Sequence, residues 1–89
     1  PTCIECTPSP NNCDITAPCT SAMGQKLLCG CRPGYRAAYS PTDISKQWRF
    51  NFPYHEHRVW VAPGVKCDTL CDSPFGDNIC GEVSFIDKC

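Results

Sequence analysis

His55-Glu56-His57 sets two imidazoles two residues apart. On an extended strand they share a face, and together they could bind Zn²⁺ or Cu²⁺ if a third ligand joined them. Asp43 and Asp68 could supply it, but no spacing selects either. A catalytic metal site needs at least three protein ligands. The expectation is therefore that His55 and His57 lie on an exposed strand face beside Arg58, with no metal and no cofactor. Covalent catalysis has as little support. Ser9, Ser21, Ser40, Ser45, Ser73 and Ser84 all lack a Gly-x-Ser-x-Gly setting. Glu56 or Glu82 with an aspartate could mimic a glycosidase pair, yet nothing in the spacing picks one out. No catalytic residue is assigned, and the chain is not expected to be an enzyme.

Cysteine is the other chemistry-bearing type: Cys3, Cys6, Cys13, Cys19, Cys29, Cys31, Cys67, Cys71, Cys80 and Cys89, ten in 89 residues. Zinc modules pair Cys-x2-Cys knuckles, and only Cys3-x-x-Cys6 has that spacing. An even count at this density reads as five disulfides and an oxidising compartment. A chain this short buries little core, so cross-links must supply much of its stability. With every cysteine oxidised, a thiolate nucleophile is excluded.

The net charge of −1 and the lack of a basic run argue against nucleic-acid binding and against cationic membrane insertion. No apolar run approaches a membrane span, and no signal peptide is visible. The expectation is a mature, processed, secreted protein.

The elements that would position these groups centre on Cys29-Gly30-Cys31-Arg32-Pro33-Gly34-Tyr35. If it is extended, Cys29 and Cys31 face the same way and can reach two partners, one upstream and one downstream. Gly30 permits close backbone approach, Pro33-Gly34 presets a turn, and Tyr35 is expected to fold over the sulfurs. Lys26-Leu27-Leu28 reads as a strand entering this node. Asp43 is placed to cap a short turn through Ser45 and Lys46. Gln47 to Phe52 alternates in the pattern of a half-buried strand, with Trp48, Phe50 and Phe52 on one face and Gln47, Arg49 and Asn51 on the other, solvated face. Tyr54 to Val61 is a second strand-like run, joined to the first through Phe52-Pro53-Tyr54 and ended by Pro63-Gly64. In the tail, Cys67-x3-Cys71 suits a short turn or helix, and Glu82 to Ile86 suits a last strand.

The aromatic segment, Trp48, Phe50, Phe52, Tyr54 and Trp60, has several readings: a core, a homodimer face, a carbohydrate or receptor surface, or a membrane contact that lacks basic support. Trp48, Phe50, Trp60, His55, His57 and Arg58 are the candidate contact residues. Arg32-Pro33, Arg58-Val59 and Lys66-Cys67 each set a basic residue on a braced loop or strand, the alternative being a protease inhibitor.

Two resemblances add to this. The node from Cys29 to Tyr35 resembles the last part of an EGF-like module, with its Cys-x-Cys-x-x-Gly-Tyr signature. The resemblance implies the pairings Cys6–Cys19, Cys13–Cys29 and Cys31–Cys67. The chain departs from that module in the long stretch between Cys31 and Cys67, and in Cys3, Cys71, Cys80 and Cys89, which lie outside its pattern. Pro1-Thr2-Cys3-Ile4-Glu5 lacks the acidic signature of the calcium-binding subclass. Ser45-Lys46-Gln47-Trp48-Arg49, Glu56-His57-Arg58-Val59 and Val61 to Cys71 resemble small secreted cysteine-rich proteins of filamentous fungi. Some of these, including the Trichoderma type, act as elicitors of plant defence. That likeness implies an effector recognised through a host surface protein or cell-wall glycan. The expected fold is a small all-β, disulfide-rich domain spanning 1–89: an EGF-like part over 1–35, an aromatic β-hairpin over 36–66 and a cysteine-rich tail over 67–89.

Overall fold

A computed structural model describes residues 5–7, 12–21, 27–50, 58–72 and 79–86. The elements among them are short strands: β1 (Cys19–Ser21), β2 (Leu27–Gly30), β3 (Tyr35–Arg36), β4 (Gln47–Phe50), β5 (Trp60–Val61), β6 (Thr69–Leu70) and β7 (Phe85–Ile86). No helix occurs among the described residues. Strands this short present few residues to a core, and cross-links offset that loss by restricting the unfolded chain. Four disulfides do so here: Cys6–Cys19, Cys13–Cys29, Cys31–Cys67 and Cys71–Cys80. The first three are the pairings implied by the EGF-like cysteines. Cys3 and Cys89, which a fifth bridge requires, lie outside the described residues.

Five strands form one mixed sheet in the order β1-β2-β5-β4-β7, drawn from all three stretches of the chain. Four of them pair antiparallel, and β7 joins β4 in parallel with Arg49 opposite Phe85. β3 and β6 make a separate antiparallel pair, with Tyr35 opposite Leu70. The strand expected from Gln47 onward is present as β4, and it pairs with β5 through Trp48 opposite Trp60. The bend joining the two runs, with Phe52, Tyr54, His55 and His57, lies outside the described residues.

The period of two divides the core between the faces of this sheet. One face carries Leu28, Trp48, Phe50 and Trp60, with Ile86 packed against them. The other carries Cys29, Cys31, Val59, Val61 and Cys67, with Ala17, Ala37 and Val83 in the same cluster. Cys29 and Cys31 thus share a face and reach Cys13 upstream and Cys67 downstream. Gly30, between them, faces the aromatic side. A Cβ there would lie 2.9 Å from Cζ3 of Trp60 and 3.0 Å from Nη2 of Arg58.

Two expectations are corrected. Gln47 and Arg49 do not form a solvated face. Gln47 is fully buried, because the loop carrying Ala37 to Ser40 folds over it. Its Oε1 accepts the Ala37 N–H at 2.9 Å, and its Nε2 donates to the carbonyls of Ala37, Tyr39 and Ser40. Arg49 is half-buried by the residues leading into β7. It donates to the carbonyls of Val83 and Gly81 and lies over the Phe85 ring. The Cys67-x3-Cys71 segment is neither turn nor helix. Its middle, Thr69–Leu70, forms β6 by pairing with β3, and the Cys31–Cys67 and Cys71–Cys80 bridges anchor its two ends. Tyr35 is held under Arg32, whose Cζ is 4.2 Å from the ring centroid.

Candidate functional site

The loop between Cys13 and Cys19 is where sequence, bracing and exposure coincide. Asp14-Ile15-Thr16 carries an aspartate two residues before a threonine, the spacing at which a carboxylate can accept from the backbone of a turn. Asp14 Oδ2 accepts the Thr16 N–H at 3.0 Å and the Thr16 hydroxyl at 2.6 Å. The Ala17 N–H donates to the Asp14 carbonyl at 2.9 Å, closing a turn with Ile15 and Thr16 at its centre. The Thr16 hydroxyl also accepts the Cys67 N–H at 2.8 Å, tying the crest of the loop to the Cys31–Cys67 bridge. Hydrogen bonding from the Thr16 hydroxyl, then from its N–H, holds the Asp14 carboxyl below the ordinary carboxylate value of 3.8. Cys13 and Cys19 are bridged to Cys29 and Cys6, so both ends of the loop are fixed covalently.

Ile15 stands on this support with 92% of its surface exposed. Every large aliphatic side chain in the five-stranded sheet is at least partly covered, so Ile15 is placed outward by the turn and is not left over from an incomplete core. It lines a shallow hollow with Thr16, Pro18 and Arg32. Arg32 is exposed, stacked on Tyr35 and paired with no carboxylate among the described residues. Tyr35 in turn stands opposite Leu70, which is 55% exposed. Chemically this is an apolar knob beside one oriented cation, an arrangement suited to contact.

No protein-family profile, curated protein or solved structure matches this chain.

The residues singled out from sequence are placed differently. Trp48, Phe50 and Trp60 are only 2%, 1% and 0% exposed. The core reading of these rings is the one their burial supports, and a partner or a second copy meets none of these three rings at the surface. Phe50 and Trp60 pack at a centroid distance of 5.6 Å. Arg58 is half-buried. Its Nε donates to the Cys31 carbonyl at 2.8 Å and its Cζ lies 5.0 Å from the Trp60 ring centroid, while burial pulls its pKa below the ordinary value. His55 and His57 lie outside the described residues.

Of the suggested third metal ligands, Asp43 is committed to the N–H and hydroxyl of Ser45, the cap read from sequence. Cys6, Cys13 and Cys19 bring three sulfurs within 4.8 Å of one another, but each sulfur is in a disulfide and lacks the thiolate charge that binds metal. Glu82 Oε2 accepts Arg36 Nε at 2.8 Å and the Asp72 N–H at 2.9 Å. Burial pushes its carboxyl up, but these partners outweigh it and hold the group below its ordinary value of 4.5. A glycosidase acid needs the opposite shift.

Sequence reasoning missed Ile15. The Asp14-x-Thr16 spacing was the available signal: it marks a turn whose middle residue has no neighbour to bury it.

Proposed function

We propose that this is a secreted, non-enzymatic interaction protein that acts by presenting a pre-formed surface, with Ile15 as its anchor. Four disulfides fit an extracellular, oxidising setting. No described helix is long and apolar enough to cross a membrane. The observation that carries the reading is an isoleucine 92% exposed at the crest of a loop bridged at both ends. Such a loop has little conformational freedom left to lose on binding, so more of the contact energy appears as affinity. An aliphatic anchor beside Arg32 fits an apolar pocket with a carboxylate at its rim.

The resemblance to fungal elicitors makes the finer reading an effector recognised at a plant surface, leading to defence induction. The test is the oxidative burst of plant tissue exposed to native protein and to Ile15→Asp. Both proteins should melt alike, and the variant should fail to elicit. A full response from the variant would remove Ile15 from the account.

Protease inhibition is a second reading, and Lys66 favours it. Lys66 is exposed between buried Val65 and bridged Cys67. Arg58 is committed to Cys31, and Arg32 is followed by proline. Trypsin stalled by the native protein but not by Lys66→Ala would support inhibition; indifferent trypsin would dispose of it.

A further inference from the structure

On the other side of Lys66 lies an open hollow of about 330 Å³, lined by Ala38, Tyr39, Gly64, Val65, Lys66 and Asp68. We infer that it is a saccharide-binding site, with Tyr39 as the stacking platform and Lys66 and Asp68 as the hydroxyl-reading pair.

Three observations converge on it. Tyr39 is 49% exposed although its loop is firmly held. Buried Gln47 donates from Nε2 to the Tyr39 carbonyl at 2.8 Å and to the Ser40 carbonyl at 3.2 Å, and accepts the Ala37 N–H. The backbone that carries the ring is therefore held by the core, and Lys46 Nζ lies 5.1 Å from the ring centroid. Second, Val65 and Cys67 are buried while Lys66 and Asp68 are exposed, and both charged residues line the hollow. Third, Gly64 has φ of +86° and nothing within 4 Å of a Cβ position. The Ala62–Val65 turn it completes leaves the hollow's mouth clear.

The mixture of groups selects the ligand class. A pyranose offers a face of weakly positive C–H groups to the electron-rich ring of a tyrosine. Its edge offers hydroxyls, which donate to a carboxylate and accept from an ammonium. An apolar ligand would leave Lys66 and Asp68 unpaired, and a polyphosphate would meet the Asp68 carboxylate. The volume is at the small end of the range of about 300–1,000 Å³ for ligand sites, which suits one or two sugar units of a longer glycan. No residue lines both this hollow and the one at Ile15, so anchoring on a glycan and contact with a receptor can be tested by different substitutions.

The test is an amide chemical-shift titration of the full chain with chitotetraose, cellotetraose and mannotetraose in turn. At least one should shift the Gly64, Lys66 and Asp68 amides in a saturable way. Tyr39→Ala should weaken that sugar by at least about tenfold, with Ile15→Asp binding as native. The exposed Lys66→Ala serves as the second variant should Tyr39→Ala disturb the fold. Whichever sugar binds names the glycan class. The proposal is overturned if none of the three moves those amides at millimolar concentration. It is equally overturned if folded Tyr39→Ala or Lys66→Ala binds as tightly as the native chain.

Discussion

Replacing Gln47 by leucine should destabilise the protein, although it exchanges a polar side chain for an apolar one of similar size at a fully buried position. The amide makes four hydrogen bonds to the loop above it: one from the Ala37 N–H and three to carbonyls. Leucine makes none of them. The Ala37 N–H is left without an acceptor, whereas the Ala37 carbonyl keeps its bond from Arg36 Nη1 at 2.8 Å. The orphaned N–H costs about 1–3 kcal/mol, and each lost bond to a carbonyl about 0.5–1.5 kcal/mol. Water can reach the Tyr39 and Ser40 carbonyls, which lose less. The leucine's own burial offsets part of the loss, at about 1.5–3 kcal/mol, leaving a net destabilisation of about 1–3 kcal/mol. Guanidinium unfolding with disulfides intact, followed by tryptophan fluorescence, measures this directly. A variant as stable as the native protein would refute the bonded role of Gln47, and with it the positioning of Tyr39. The solvated strand face read from the alternation alone predicts just that neutral result.

Further outcomes follow from the same contacts. Gly30→Ala places a methyl 2.9 Å from Trp60 and should cost about 1–3 kcal/mol by overpacking; an unchanged unfolding midpoint would mean the ring is not seated there. The Cys31–Cys67 bridge spans 36 residues and Cys71–Cys80 spans 9. If cross-links act by restricting the unfolded chain, these are worth about 3.8 and about 2.6 kcal/mol. The alanine pair at 31 and 67 should therefore melt below the pair at 71 and 80, and the reverse order would mean that loop length does not set what each bridge contributes. Glu82 has a depressed pKa in the fold, so its stabilising effect is present above 4.5 and is lost as pH falls through the lower folded value. Glu82→Gln should flatten the acid limb of the stability–pH curve, whereas an identical limb would show that Glu82 does not carry it.

The legible parts of the fold were those with local causes. Asp43 caps Ser45 because a short carboxylate two residues before an N–H can reach it. Pro33-Gly34 and Pro63-Gly64 turn because both glycines take φ of +86°. Cys29 and Cys31 share a face because strands alternate. The non-local parts were hidden. Gln47 looked solvent-facing because the loop that buries it returns from earlier in the chain. Arg49 is covered by β7, a parallel partner more than thirty residues away that no local pattern announces. The aromatic alternation was visible, but alternation alone does not say whether a sheet is covered on one face or on both. Ile15 escaped notice for the opposite reason: an isolated aliphatic residue in a loop belongs to no periodic pattern.

The central claim is that cystine bridges hold a pre-shaped body together and thereby keep its contact loops rigid. Trp48 and Trp60, the chain's two tryptophans, report on it, since both are buried. Their emission should be that of buried indole in the native protein and should shift to the solvent-exposed wavelength once all bridges are reduced without denaturant. Emission that stays unshifted after complete reduction would contradict the account, because the core would then be standing without its cross-links.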